Sequence, residues 1–110
     1  MKRVQAVIRP DKLDSVQHRL AELGFVGLMV YDVRGHGSEA ESSGEWRGVS
    51  YRMSVKHKLL VDLLVEDDEV MPVVDAIRER AATGSPGDGI VFVLEVPAVY
   101  PIRQEAPAQP

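Results

Sequence analysis

The chain contains no cysteine, so disulfides, thiol chemistry and the cysteine-based zinc signatures are all excluded. It lacks any apolar run approaching the roughly 20 residues of a membrane-spanning helix. Met1-Lys2-Arg3 leads into a short strand-like segment rather than a signal peptide, so a cytoplasmic location without membrane insertion is expected. It also lacks an excess of positive charge. A net charge of −4 leaves no electrostatic footprint for nucleic acid, because phosphate binding needs clustered Lys and Arg. What it does have is 45% hydrophobic residues over 110 positions, enough for one domain around one modest core.

The most informative stretch runs from Gly35 to Met53. It is glycine-rich, polar and nearly free of core residues, and it lies between two hydrophobic segments, Phe25 to Val33 and Leu59 to Val65, that read as strands. Loops longer than about 12 to 15 residues without structure of their own are uncommon in compact domains and are usually functional or disordered. A chain this small carries such a loop to use it.

Around that loop the pattern is strand, helix, strand, loop, strand, helix, strand, tail. Val4, Ala6 and Ile8 alternate on one face, and Pro10 stops the strand before a helix for which Asp11 is the expected cap. Leu13, Val16, Leu20 and Leu23 recur at helical spacing, and Gly24 sits where a helix terminates. The second helix is expected to open at Asp67 and Asp68, whose carboxylates suit free N–H groups and the helix dipole, with Pro72 tolerated in the first turn. Val70, Val73, Val74, Ile77 and Ala81 supply its buried stripe. Ile90 to Val96 is almost wholly apolar, as a central or oligomer-buried strand would be. The segment after Pro97 is proline-rich and expected to be extended or disordered.

Two βαβ units in tandem predict an α+β, ferredoxin-like βαββαβ sandwich, with a four-stranded antiparallel sheet and both helices on one face. The uncovered face would leave a large apolar surface wet, and oligomerisation through it is the simplest remedy. A second chemical signal is Thr83-Gly84-Ser85-Pro86-Gly87-Asp88-Gly89. Its glycines let backbone N–H groups approach a ligand and cradle phosphate, although no Lys-Ser or Lys-Thr follows as in a Walker loop. The other reading of the same residues is a turn carrying a helix cap.

The order of these parts resembles the PII signal-transduction family across essentially the whole chain. Val7-Ile8-Arg9-Pro10-Asp11-Lys12-Leu13 resembles its opening strand and helix start, Val33-Arg34-Gly35-His36-Gly37 the start of its T-loop, and Trp46-Arg47-Gly48-Val49-Ser50-Tyr51 its Tyr-Arg-Gly-Ala-Glu-Tyr signature. Thr83 to Gly89 resembles its B-loop, and Tyr100-Pro101-Ile102-Arg103 falls on its C-loop. The resemblance implies a domain over residues 1–97 with the T-loop at about 37–55 and the B-loop at about 82–90, followed by the C-loop and tail over 98–110. It also implies a homotrimer whose clefts bind adenine nucleotides (ADP, AMP or ATP) and whose T-loops engage a membrane transporter or a metabolic enzyme. The nucleotide-binding residues implied are Gly35, His36, Gly37, Ser38, Leu64, Gly87, Asp88, Gly89 and Arg103, with Glu39 and Lys58 at an effector position and Tyr51 at a position modified in many relatives.

Departures from the family pattern narrow these expectations. Ile90 stands where the B-loop continues with a lysine or arginine, Pro101 where a second C-loop arginine is common, and Ser38 where an arginine follows the T-loop start. Losing three cationic contacts weakens the most highly charged nucleotide most, so ADP or AMP is expected to bind as well as ATP. Glu39 replaces the family's magnesium-coordinating glutamine, which puts magnesium and the 2-oxoglutarate response in question. Met29 replaces a threonine near the adenine ring. Tyr51 is read either as a modification site or as a partner anchor, and Trp46 as a partner contact or as packing on the trimer surface. Glu39, Glu41 and Glu45 form a solvated acidic stretch or meet a basic partner. His36, Glu39, Glu41 and His57 lack the regular spacing of a metal site, and none is assigned. An acylphosphatase-like enzyme would need an asparagine, which the chain lacks, and no nucleophile and base pair otherwise occurs. The alternative from another class is a CutA-like structural or metal-tolerance trimer.

Overall fold

The computed structural model describes residues 1–35, 42–46, 49–53 and 56–104, and side chains for 1–34 and 56–104. The elements are β1 (Lys2–Ile8), α1 (Leu13–Glu22), β2 (Met29–Gly35), β3 (Ser42–Trp46), β4 (Val49–Met53), β5 (Lys56–Val65), α2 (Val70–Ala81) and β6 (Gly89–Glu95). The main sheet has the order β2-β5-β1-β6 with every pairing antiparallel, which is the expected α+β, ferredoxin-like arrangement.

The core lies between this sheet and the two helices. Alternation puts Val4, Ala6 and Ile8 of β1 and Val61, Leu63 and Val65 of β5 on the helix side. They meet Val16 and Leu20 of α1 and Val73, Ala76, Ile77 and Ala81 of α2. Each fully buried aliphatic side chain contributes about 1.5–3 kcal/mol of burial. The other face carries Met29 and Tyr31 from β2, Leu64 from β5, and Ile90, Phe92 and Leu94 from β6, all exposed in the single chain.

Several boundaries differ from the sequence-based expectation for identifiable reasons. The second strand begins at Met29 rather than Phe25, because α1 ends in a Schellman motif: Gly24 N–H donates to Ala21 O at 2.9 Å and Phe25 N–H to Leu20 O at 2.8 Å. Gly24 supplies the positive φ of 95° that this turn requires. With its donor committed to the helix end, Phe25 packs on the core without joining the ladder. Asp11 is not the cap of the first helix. Pro10 opens a 3₁₀ turn over Pro10–Lys12 that runs into α1, and no side chain caps either start. The second helix likewise enters through a 3₁₀ turn, Asp67–Glu69. There Glu69 accepts the Glu66 N–H at 2.7 Å, while Asp67 pairs with the amino terminus at 3.1 Å. Pro72 lies in the first turn of α2, where it removes no helical hydrogen bond.

The last strand is an edge strand and not a central one, since β1 stands between it and β5. The long polar stretch also has structure of its own. β3 and β4 pair from Ser42↔Met53 to Trp46↔Val49 as a two-stranded sheet. Residues 47 and 48, between the two strands, lie outside the described residues. The serines and glycine of this pair hide the strand signal, because β-branched residues are nearly absent.

Candidate functional site

The antiparallel register decides what meets at one end of the sheet. Ile8 pairs with Gly89 on one side and with Leu59 on the other, so the next residues outward, Arg9, Asp88 and Lys58, form a row. Gly89 makes that row possible. Its φ is 110°, and a Cβ there would stand 1.8 Å from the Val7 carbonyl oxygen, so only glycine allows β6 to start this close to β1.

The turn from Thr83 to Gly89 is organised by its own carboxylate. Asp88 accepts hydrogen bonds from the Thr83 hydroxyl at 2.5 Å, the Thr83 N–H at 2.8 Å, the Gly84 N–H at 2.9 Å and Arg9 Nε at 3.2 Å. The Thr83 hydroxyl and amide, helped by Gly84 and Arg9, hold its carboxyl well below the usual carboxylate range. The two sequence readings of this turn, phosphate cradle and helix cap, both need adjusting. Two of the amides that a cradle would use are committed to Asp88, and the cap of α2 is the backbone of Ala82.

Two cations then fasten the turn to the sheet. Arg9 Nη2 donates to Pro86 O at 2.8 Å, and Lys58 Nζ donates to Gly87 O at 2.7 Å. Lys58 is 6% exposed. It sits two residues from Lys56, where β5 begins and where the register partner is Gly35, the last residue of β2. The turn is therefore bonded directly to the root of the long excursion between Gly35 and Lys56. Beside this root the His57 ring nitrogen Nε2 lies 2.9 Å from Asp32 Oδ1.

On the open face a second polar cluster is built around Asp62, 2% exposed. Its carboxylate accepts from Arg3 Nε at 3.0 Å, Arg3 Nη2 at 2.5 Å and Gln5 Nε2 at 3.3 Å. The Arg3 guanidinium holds it below its ordinary value against the opposing effect of burial.

Of the residues expected at a site, the fold brings Gly87, Asp88, Gly89 and Lys58 together, with Gly35 at the adjoining strand end. Leu64 lies on the open face, six residues or roughly 20 Å along β5 from Lys58. Arg103 is exposed and has no side-chain partner among the described residues. His36, Gly37, Ser38 and Glu39 lie outside the described residues. Tyr51, expected on a loop, is in β4 opposite Gly44. Met29 is exposed on the open face, and Ile90 follows the turn on the same face. Thr83 was expected only as part of the glycine-rich turn, and Arg9 was not expected at the site. The signal for Arg9 is the strand register, which places it opposite Asp88, and that is not visible in a linear motif. Among the described residues no group of His, Asp or Glu could hold a metal ion, and no helix is long and apolar enough to cross a membrane.

The family model described as nitrogen regulatory protein P-II matches residues 1–106. A nitrogen regulatory protein P-II from Microchaete diplosiphon is 44% identical over 103 residues, covering 94% of this chain and 92% of the relative. Nitrogen regulatory protein GlnK2 of Haloferax mediterranei is 41% identical, covering 94% of this chain and 84% of its own length. Nitrogen regulatory protein P-II 1 of Escherichia coli K12 is 40% identical, with 94% and 92% covered.

Proposed function

The chain belongs to the nitrogen regulatory protein P-II family, a family of signal-transduction regulators and not of enzymes, and from that premise we propose that it binds an adenine nucleotide between the subunits of a homotrimer and controls a transporter or metabolic enzyme through the loop at about 37–55. The observation that carries the reading is the hydrogen bond from Lys58 to Gly87 O, with Arg9 alongside on Pro86 O and Asp88. It ties the glycine-rich turn to the strand that receives the returning loop. A ligand lodged at the turn then bears on the loop root through contacts two residues long. Such coupling requires only that the ligand touch two loop states differently.

In this reading Gly35, His36, Gly37, Ser38, Gly87, Asp88 and Gly89 surround the nucleotide, Leu64 lines the apolar side of the cleft, and Arg103 reaches it from a neighbouring copy. Glu39 and Lys58 stand at the effector position, and Tyr51 is the candidate for modification or for contact with a partner. Ile90, Pro101 and Ser38 leave the outermost phosphate without cationic partners, so ADP or AMP binds at least as tightly as ATP. Glu39 disfavours an arriving dianion, so 2-oxoglutarate with magnesium and ATP leaves binding unchanged.

Titration calorimetry with the three nucleotides tests both levels of the reading. Binding without turnover is expected, with ATP no tighter than ADP. ATP binding tenfold tighter than ADP, about 1.4 kcal/mol, would refute the charge argument. Absence of any nucleotide binding would leave the structural trimer as the better account.

A further inference from the structure

A hollow of about 400 Å³ lies on the helix side of the sheet, between α2 and the start of β6. Its walls are mainly apolar, with Val74, Ile77 and Ala81 from α2 and Ile8 and Val91 from the sheet. The register puts Gly89 beside Ile8 and Val91 beside Ala6, on the face opposite to Leu64, Ile90 and Phe92. Covering that other face does not by itself fill the hollow. At Gly89 the wall is bare backbone that no side chain can fill, because a Cβ there would stand 1.8 Å from Val7 O.

Two charged residues line the hollow, and they differ in how far their charge is used. Asp88 is taken up by Thr83, Gly84 and Arg9. Arg78 is exposed and makes no hydrogen bond or ion pair with any described residue, whereas Arg80, two positions on, pairs with Glu22 and Glu79. The C-terminal end of α2 brings partial negative charge to the same wall, so an anion there depends on Arg78. The remaining wall is β6, an edge strand, which presents outward backbone N–H groups without ladder partners.

We propose that this hollow binds a small amphipathic monocarboxylate, an acid with a short aliphatic chain. Arg78 holds the carboxylate, and the chain lies against Val74, Ile77 and Val91. Hollows of this size, apolar with one or two convergent polar groups, are the usual form of small-ligand sites. The planar guanidinium suits a carboxylate because two parallel N–H groups meet its two oxygens. A dicarboxylate is disfavoured, since its second charge would be set on apolar walls or beside Asp88. The site touches Ala82 and Gly89, the residues that bracket the glycine-rich turn, but the inference does not rest on a nucleotide being bound there.

Titration of the full chain with hexanoate, hexanol and acetate, followed by amide NMR shifts, tests this on the native chain, Arg78→Gln and Arg78→Lys. Hexanoate is expected to bind in the millimolar range, more tightly than hexanol or acetate, and to shift the amides of Ala82, Gly89 and Val91. Each methylene added to the acid, as far as octanoate, should tighten binding by up to about fourfold. Arg78→Gln should lower hexanoate affinity roughly fivefold and leave hexanol unchanged, while Arg78→Lys, which keeps the charge but not the paired geometry, should fall between. Arg78 is exposed and unpaired among the described residues, so neither substitution threatens the fold, and circular dichroism checks this. Saturating ADP should leave hexanoate binding unchanged, whether or not ADP itself binds. The proposal is overturned if hexanoate binds no more tightly than acetate, if Arg78→Gln leaves its affinity unchanged, or if ADP displaces it.

Discussion

An alanine at Gly89 should cost the fold far more than an alanine at Gly24, although both glycines have positive φ, 110° and 95°. At Gly24 an added Cβ meets nothing within 4 Å. Only the backbone cost remains, about 1–2 kcal/mol for an L residue held left-handed. At Gly89 the same cost is joined by a collision, with the Cβ 1.8 Å from Val7 O and 2.8 Å from the Val7 carbonyl carbon. Both of those atoms are backbone, so no side chain can swing aside. Restoring even 3.0 Å means moving the strands apart by more than an ångström, and the Ile8↔Gly89 pair is lost. With one or two ladder hydrogen bonds at about 1 kcal/mol each, the total reaches roughly 2–4 kcal/mol. That is a large part of the 5–15 kcal/mol by which a domain is typically stable. Urea denaturation followed by circular dichroism should show it, and thermal melts should fall by well over ~10 °C for Gly89→Ala against several degrees for Gly24→Ala. Gly27→Ala is the control, because its Cβ position is open and its φ is ordinary, and it should stay within about 0.5 kcal/mol. Gly89→Ala and Gly24→Ala melting within a few degrees of each other would refute the close approach of β6 to Val7.

Three further expectations concern the assembly, the open face and the loop. Light scattering at micromolar concentration should give a particle about three times the 12.1 kDa chain, since Met29, Tyr31, Leu64, Ile90, Phe92 and Leu94 need cover, and a stable monomer would count against it. Asp62 has a folded-state pKa below its unfolded value, so its contribution is fully present above about pH 4 and disappears as pH falls through the depressed folded value. Asp62→Asn should therefore flatten the acid limb of the stability curve, and parallel limbs in the two proteins would show that Arg3 does not hold this carboxylate. Trp46 is the sole tryptophan, and its fluorescence should change when the preferred nucleotide saturates the native chain, with Gly87→Ala weakening both binding and response. Nucleotide binding without any change at Trp46 would deprive the regulator reading of its mechanism.

The fold was legible because period-2 and period-3.6 patterns survive wherever a face is buried. Val4, Ala6 and Ile8, and Val16 and Leu20, could be placed from spacing alone. What spacing could not show is where backbone donors go. Phe25 is apolar like a strand residue, yet its N–H closes the helix end, and Asp67 looks like a helix cap while its carboxylate is taken by the amino terminus. The β3–β4 pair was hidden for the opposite reason, since its polar and glycine-rich residues carry no burial pattern. At the candidate site the glycines announced the turn, but Arg9 joins it only through register, a relation between residues 79 positions apart.

The excursion that separates β2 from β5 leaves and returns at register partners, Gly35 and Lys56. Its two ends are thus a strand spacing apart, about 5 Å, whatever lies between them. Lengthening such an insert costs only the slow logarithm of loop closure, about 0.6 kcal/mol for each doubling. Sequence in this stretch is accordingly free to diverge in length and content under selection for new partners, while the sheet beneath it continues to fold as before. The same geometry makes the Gly35–Lys56 junction a natural graft point, at which a foreign hairpin could replace the native one and inherit its connection to the glycine-rich turn.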